Sequence, residues 1–159
     1  MKKIRIIILL LIILSSFTGC MFVKDKTKSE SYDKSIEILR CFDEKDTEGL
    51  RSFFCQHSQD TDSINDEIEA AFEFYEGKSV SFEFAYNGGV AGKWRDGKAV
   101  DEHITPEIRS IVTDTDNKYL IFYHEYLTYT ADEKCVGVTY MLIFNEETDE
   151  KLQIGDFVQ

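Results

Sequence analysis

The chain reads as an α+β domain: N-terminal helices packed on a curved antiparallel sheet of four to five strands. Three observations predict this. Apolar residues recur at helical spacing between Tyr32 and Tyr75. After Gly77 the apolar period changes to two. The last strands are long and their connections short, which favours an antiparallel meander over crossovers.

The first residues are an address. Lys2, Lys3 and Arg5 precede an unbroken apolar run from Ile6 to Leu14, and Phe17-Thr18-Gly19-Cys20 closes it. A basic start, a short apolar stretch and a small-residue site before cysteine make a secretory signal ending in a lipobox. Phe17 stands where leucine is usual. The run is too short to span a bilayer, which takes roughly 20 residues. The expectation is export, cleavage before Cys20, and lipid on the Cys20 thiol. Residues 1–19 then form the signal, 20–31 a tether and 32–159 one α+β domain. Lys24 to Ser31 is poor in apolar residues and mixed in charge, so it reads as a flexible spacer. The whole tether after Cys20, Met21 to Ser31, reaches at most about 35–40 Å.

From Ser31 to Phe42, the residues Tyr32, Ser35, Ile36, Leu39 and Phe42 predict a first helix. Asp46 looks like the N-cap of a short second one, with Leu50, Phe53 and Phe54 on its apolar side. Ile64, Ile68, Ala71, Phe72 and Tyr75 form the cleanest amphipathic stripe, and Gly77 stands where a helix-closing glycine belongs. Strand one is expected to bury Val80, Phe82, Phe84 and Tyr86. Asn87 to Lys98 reads as a turn-rich loop. Further strands are expected at Ile108–Thr113, Tyr119–Thr130 and Val136–Asn145, with an edge strand in Lys151–Val158. Pro106 precedes the first of these, where it removes no ladder bond.

The helices, Phe74-Tyr75-Glu76-Gly77-Lys78, the exit Gly88-Gly89, and Trp94-Arg95-Asp96-Gly97-Lys98 together resemble uncharacterised Firmicutes lipoproteins described as domain of unknown function 5104. The resemblance runs from Ser31 to Gln159. It implies a cystatin-like, nuclear-transport-factor-2-like cone and a Gram-positive cell surface. It carries no catalytic signature and implies no site residue.

Composition bounds the partners. The chain has a net charge of −12, and the loss of the three signal cations leaves 15 basic against 30 acidic residues. Such a surface repels phosphate backbones, so nucleic acid is not an expected partner. Cys41, Cys55 and Cys135 are an odd number after Cys20. Cys41 and Cys55 are candidates for a bridge, and three separate buried thiols are the other reading.

The glycine-rich Asn87–Lys93 lacks the Lys-Ser/Thr pair of a phosphate loop. Asp114-Thr-Asp116-Asn117 lacks the glycine of a calcium loop and reads as a hairpin turn. His57, His103 and His124 have no metal-ligand spacing, so no cofactor or metal is expected, and His103 is read as a solvated loop residue. In the most apolar strand, alternation turns one of His124 and Glu125 toward the helices and the other away. With Tyr123, Tyr126 and Tyr140 they are the candidates for a cavity or an interface.

The leading expectation is a membrane-anchored, non-enzymatic binding module whose ligand the sequence does not specify. One alternative is a small hydrolase or isomerase using Tyr123, Glu125 and His124 in the cone. Another is an envelope self-protection protein. Strands three and four carry apolar residues on both sides, so their outer face needs shielding: by a second copy, by a protein partner, or by Trp94 folded over from its loop. Metabolic labelling with a fatty-acid analogue should tag the wild-type chain and leave Cys20→Ala unlabelled. Equal labelling of both removes the lipobox reading.

Overall fold

The computed structural model of the chain describes residues 26–87 and 90–157, so the expected signal and Cys20 lie outside the described residues. Residues 26–44 are helical (α1). The spacer expected to stay flexible as far as Ser31 is therefore helix from residue 26. Its serines suit a buried helical face. Ser31 Oγ donates to the Thr27 carbonyl and Ser35 Oγ to that of Ser31, each at 2.8 Å, so both hydroxyls are satisfied inside the helix. The buried stripe is Ser31, Ser35, Ile38, Leu39 and Phe42, while Tyr32 and Ile36 stay 43% and 39% exposed. The helix is thus rotated from its expected phase. Small side chains at 31 and 35 let the sheet approach closely, and Tyr123 fills that space: its hydroxyl donates to the Ser31 carbonyl at 3.3 Å.

Asp46 caps α2 (Thr47–Arg51), its carboxylate accepting from Gly49 N at 2.9 Å. A short α3 (Gln56–Gln59) follows, which no sequence period announced. Between them the chain hydrogen-bonds to the sheet through Cys55 N to the Val138 carbonyl and Val138 N to that of Phe53. α4 (Ile64–Phe74) buries Ile64, Ile68, Ala71 and Phe72. Tyr75 is buried just beyond it, so the whole expected stripe is core. α4 packs on α2 and on the last strand. Gly77 has φ +88°, and a Cβ there would lie 2.6 Å from Thr115 Oγ1, so glycine is required.

One open, antiparallel sheet holds seven strands rather than four or five. They are β1 (Ser79–Tyr86), β2 (Ala91–Arg95), β3 (Lys98–Ile104), β4 (Pro106–Thr113), β5 (Lys118–Tyr129), β6 (Gly137–Asn145) and β7 (Lys151–Gly155). The expected meander is present as β1-β4-β5-β6-β7. The addition is the β2–β3 hairpin, turned by Asp96-Gly97 with φ +51° and +74°. It escaped the period-two pattern because every residue of β2 is exposed. Trp94, 65% exposed, is part of β2 and does not fold over the sheet. His103 is likewise a strand residue of β3, not a loop residue.

β4 pairs with the first half of β5 and β3 with the second half, so the two run end to end along one edge of β5. β6 takes the other edge. In β6 the register slips between His124↔Tyr140 and Glu125↔Val138, which makes Thr139 an extra residue. The bulge breaks the expected alternation. Val138, Met141 and Ile143 are fully buried toward the helices, while Tyr140, Leu142 and Phe144 are half-buried on the outer face.

Cys41, Cys55 and Cys135 are free and buried, so the Cys41–Cys55 bridge is absent. The core joins Phe42, Phe72 and Tyr75, with Phe42 and Phe72 edge to face at 5.5 Å. Removing a buried Phe ring costs about 3–5 kcal/mol. Phe72→Ala should lower the melting temperature by about 10–20 °C. A change of only a few degrees would show that the ring is not part of the core.

Candidate functional site

Tyr123, His124 and Glu125 are consecutive in β5, and the strand sends them to opposite faces. Tyr123 and Glu125 point toward α1. Tyr123 is fully buried between Ser31 and Ser35. Burial raises its phenol well above the ordinary value, so it is held protonated. Glu125 forms a partly buried ion pair with Lys34 of α1. The Tyr86 hydroxyl near them is buried without a hydrogen-bond partner among the described residues. A small notch of about 270 Å³, lined by Ser31, Lys34, Ile104, Glu125 and Leu127, reaches the pair. Glu30 and Thr27 also line the notch, and the Glu125 carboxylate in it is engaged by the Lys34 ammonium group.

His124 faces the other way, into an aromatic cluster. Its ring lies parallel to Tyr140 at 5.7 Å and edge to face with Tyr126 at 4.8 Å. His103 of β3 lies tilted against it at 5.2 Å, and Phe157 closes the cluster at 5.1 Å. His124 Nδ1 and Thr139 Oγ1 share a hydrogen bond of 2.9 Å. Asp101 bonds His103 at 3.1 Å. The bulge at Thr139 is what brings that hydroxyl to the ring. His124 is pushed down from the ordinary 6.5 to about 4, mainly by burial and then by His103, with Asp101 opposing. The sequence candidates thus fall into two groups: Tyr123 with Glu125 inside, and His124 with Tyr126 and Tyr140 outside. His124 and Glu125 lie on opposite faces of β5.

A larger concavity lies elsewhere. A groove of about 850 Å³ runs between α1 and β1. Tyr32, Ile36 and Leu39 of α1 form one wall, and Val80, Phe82 and Phe84 of β1 the other. The Tyr32 ring meets Phe84 edge to face at 5.5 Å and Phe82 at 6.4 Å. Val80, expected in the core, is 63% exposed at the mouth. Lys28 stands at one end, and Arg40, Asp43 and Glu44 at the other. Sequence reasoning missed this site because Tyr32 and Ile36 fit the helical period and were assigned to the core. Ser31 and Ser35, polar residues on the buried face, were the signal that the helix is turned.

The chain matches the family model described as Domain of unknown function (DUF5104) over residues 37–146. The match covers most of the described chain, and the protein belongs to that family. No curated protein matches the chain. Among the described residues no group of three or more His, Cys, Asp or Glu side chains is placed to hold a metal ion.

The lowered His124 value carries a pH dependence. The folded protein binds that proton less readily than the unfolded chain does. Its contribution is complete above about pH 6.5 and is lost as the pH falls toward about 4. Urea midpoints taken across that range should fall for the wild type and fall less for His124→Gln. Parallel curves would mean that His124 titrates normally.

Proposed function

We propose that the protein is a lipid-anchored binding module on the outer face of the cell membrane, and that the α1–β1 groove is its contact surface. The observation that carries this reading is the convergence of Tyr32, Ile36 and Val80, three large exposed apolar residues, on one groove. An exposed apolar concavity on a highly charged domain favours a partner. The lipobox pattern ending in Cys20 supports the anchor. Among the described residues no helix is long and apolar enough to cross a membrane. The separation of His124 from Glu125 argues against one catalytic site shared by both. We read the sheet, with α1 on its inner side and bulges in β5 and β6, as the cystatin-like, nuclear-transport-factor-2-like cone.

A second surface has its own support. Leu120, Phe122, Leu142 and Phe144 are half-buried neighbours on the outer face of the sheet, paired Leu120 with Phe144 and Phe122 with Leu142. They suit a second copy or a protein partner. The acidic surface suits a basic one, as an envelope self-protection protein would need. Site-specific photo-crosslinking on intact cells separates the two faces. A crosslinking residue at Ile36 should give an adduct that the same residue at exposed Thr148 does not. An adduct at Phe122 alone would move the contact to the outer face. No adduct at either position would overturn the binding reading.

A further inference from the structure

We infer that the α1–β1 groove takes an extended, basic polypeptide segment with apolar side chains at alternate positions, laid along the unpaired edge of β1 as an added strand. The inference rests on the binding reading above and names the chemistry of the partner.

β1 is hydrogen-bonded to β4 only, and among the described residues no strand pairs with its other edge. No residue of β4 lines the groove, so the groove lies on the unpaired side of β1. A free edge presents peptide donors and acceptors that a second extended chain can satisfy. At the start of the strand the position is already taken: Ser79 N and Ser79 Oγ both donate to Asp43 Oδ1 of α1 at 2.8 Å. The register to β4 is irregular from Ser79 to Glu83 and regular from Glu83 to Tyr86. The edge left for pairing is Ser81–Tyr86, about 20 Å at the strand rise. That length takes five or six residues of a partner, an order of size set by the same rise.

The walls say what those residues are. Successive side chains of an extended segment point to opposite sides, so every second one enters the groove. There they meet Tyr32 and Ile36 on one side and Phe82 and Phe84 on the other, which are apolar surfaces. Apolar residues at alternate positions complement them. The other side chains face the rim, and its charge is uneven. Arg40 is bound by three carboxylates, those of Glu37, Glu44 and Asp46, and Asp43 adds a fourth. This is also the C-terminal end of α1, where the helix dipole favours cations. Lys28 is the one groove-lining cation at the other end. A segment carrying lysine or arginine therefore suits the Asp43 and Glu44 end. An anionic lipid head group does not.

The test uses the full chain in phosphatidylcholine nanodiscs, so that no anionic lipid competes. The probe is a fluorescein-labelled peptide of alternating valine and lysine, read by anisotropy. It should bind saturably. A version methylated on alternate peptide nitrogens cannot complete the strand bonds and should bind at least about tenfold more weakly. The double variant Tyr32→Ser, Ile36→Ser removes two exposed side chains, so folding is retained and checked by circular dichroism. It should lose affinity to a similar degree. Glu44→Lys should weaken binding, and a valine–glutamate peptide should not bind. Absence of saturable binding overturns the inference. So does binding that ignores both the methylation and the double variant, which would mean non-specific attraction to an acidic surface. Loss on methylation alone, with the double variant binding normally, assigns the peptide to another strand edge and overturns this site. An Ile36 crosslink on cells combined with no peptide binding removes the extended basic ligand and leaves the binding reading standing. No crosslink removes both.

Discussion

β5 is paired along both edges, to β4 and then β3 on one side and to β6 on the other. A strand so enclosed cannot tilt or slip, because a one-residue shift would turn every side chain to the wrong face. The helices are hung from it. The Tyr119 hydroxyl donates to the Phe74 carbonyl and accepts from Glu76 N, so it holds the C-terminal end of α4. The Tyr123 hydroxyl holds α1 through Ser31 and Ser35. Glu125 adds the ion pair to Lys34. Three inward residues of one strand, Tyr119, Tyr123 and Glu125, position two helices.

The same enclosure explains the outer face. What β5 does not send to the helices it must send outward, and it sends Leu120, Phe122, His124 and Tyr126. The aromatic cluster around His124 keeps the imidazole away from water, and the Thr139 hydroxyl satisfies it. Glu125 and His124 are adjacent in sequence yet serve separate environments. Adjacent polar residues in a strand do not make a site unless a bulge brings them to one face. Here the bulge lies in the partner strand, at Thr139.

The groove is a consequence of the phase of α1. Ser31 and Ser35 are small, and they allow Tyr123 to enter. That contact turns the helix so that Tyr32 and Ile36 face outward over the edge of β1. Asp43 fastens the far end of α1 to Ser79. The trough is therefore held at both ends by polar contacts, and its apolar walls are not drawn together into core.

Several features were decided by residues near one another in the chain. The α4 stripe, the Asp46 cap, the Gly77 stop, the strands β1, β4, β5, β6 and β7 and their meander order follow from local spacing and turn chemistry, and all are present in the structure. The matched family belongs here too, since it too is carried by sequence. Other features depended on contacts between distant segments. Exposed β2 has no apolar period, and it exists because Asp96-Gly97 turns it back onto β3, which β5 holds. The orientation of α1 depended on Tyr123, far away in the chain. The Thr139 bulge depended on the pairing of two strands, so the inward and outward sets of β6 could not be read from β6 alone. Periodicity states that a helix or strand has a buried side. Which side it is depends on the shape of the surface that it meets, and that surface exists only once the chain has folded.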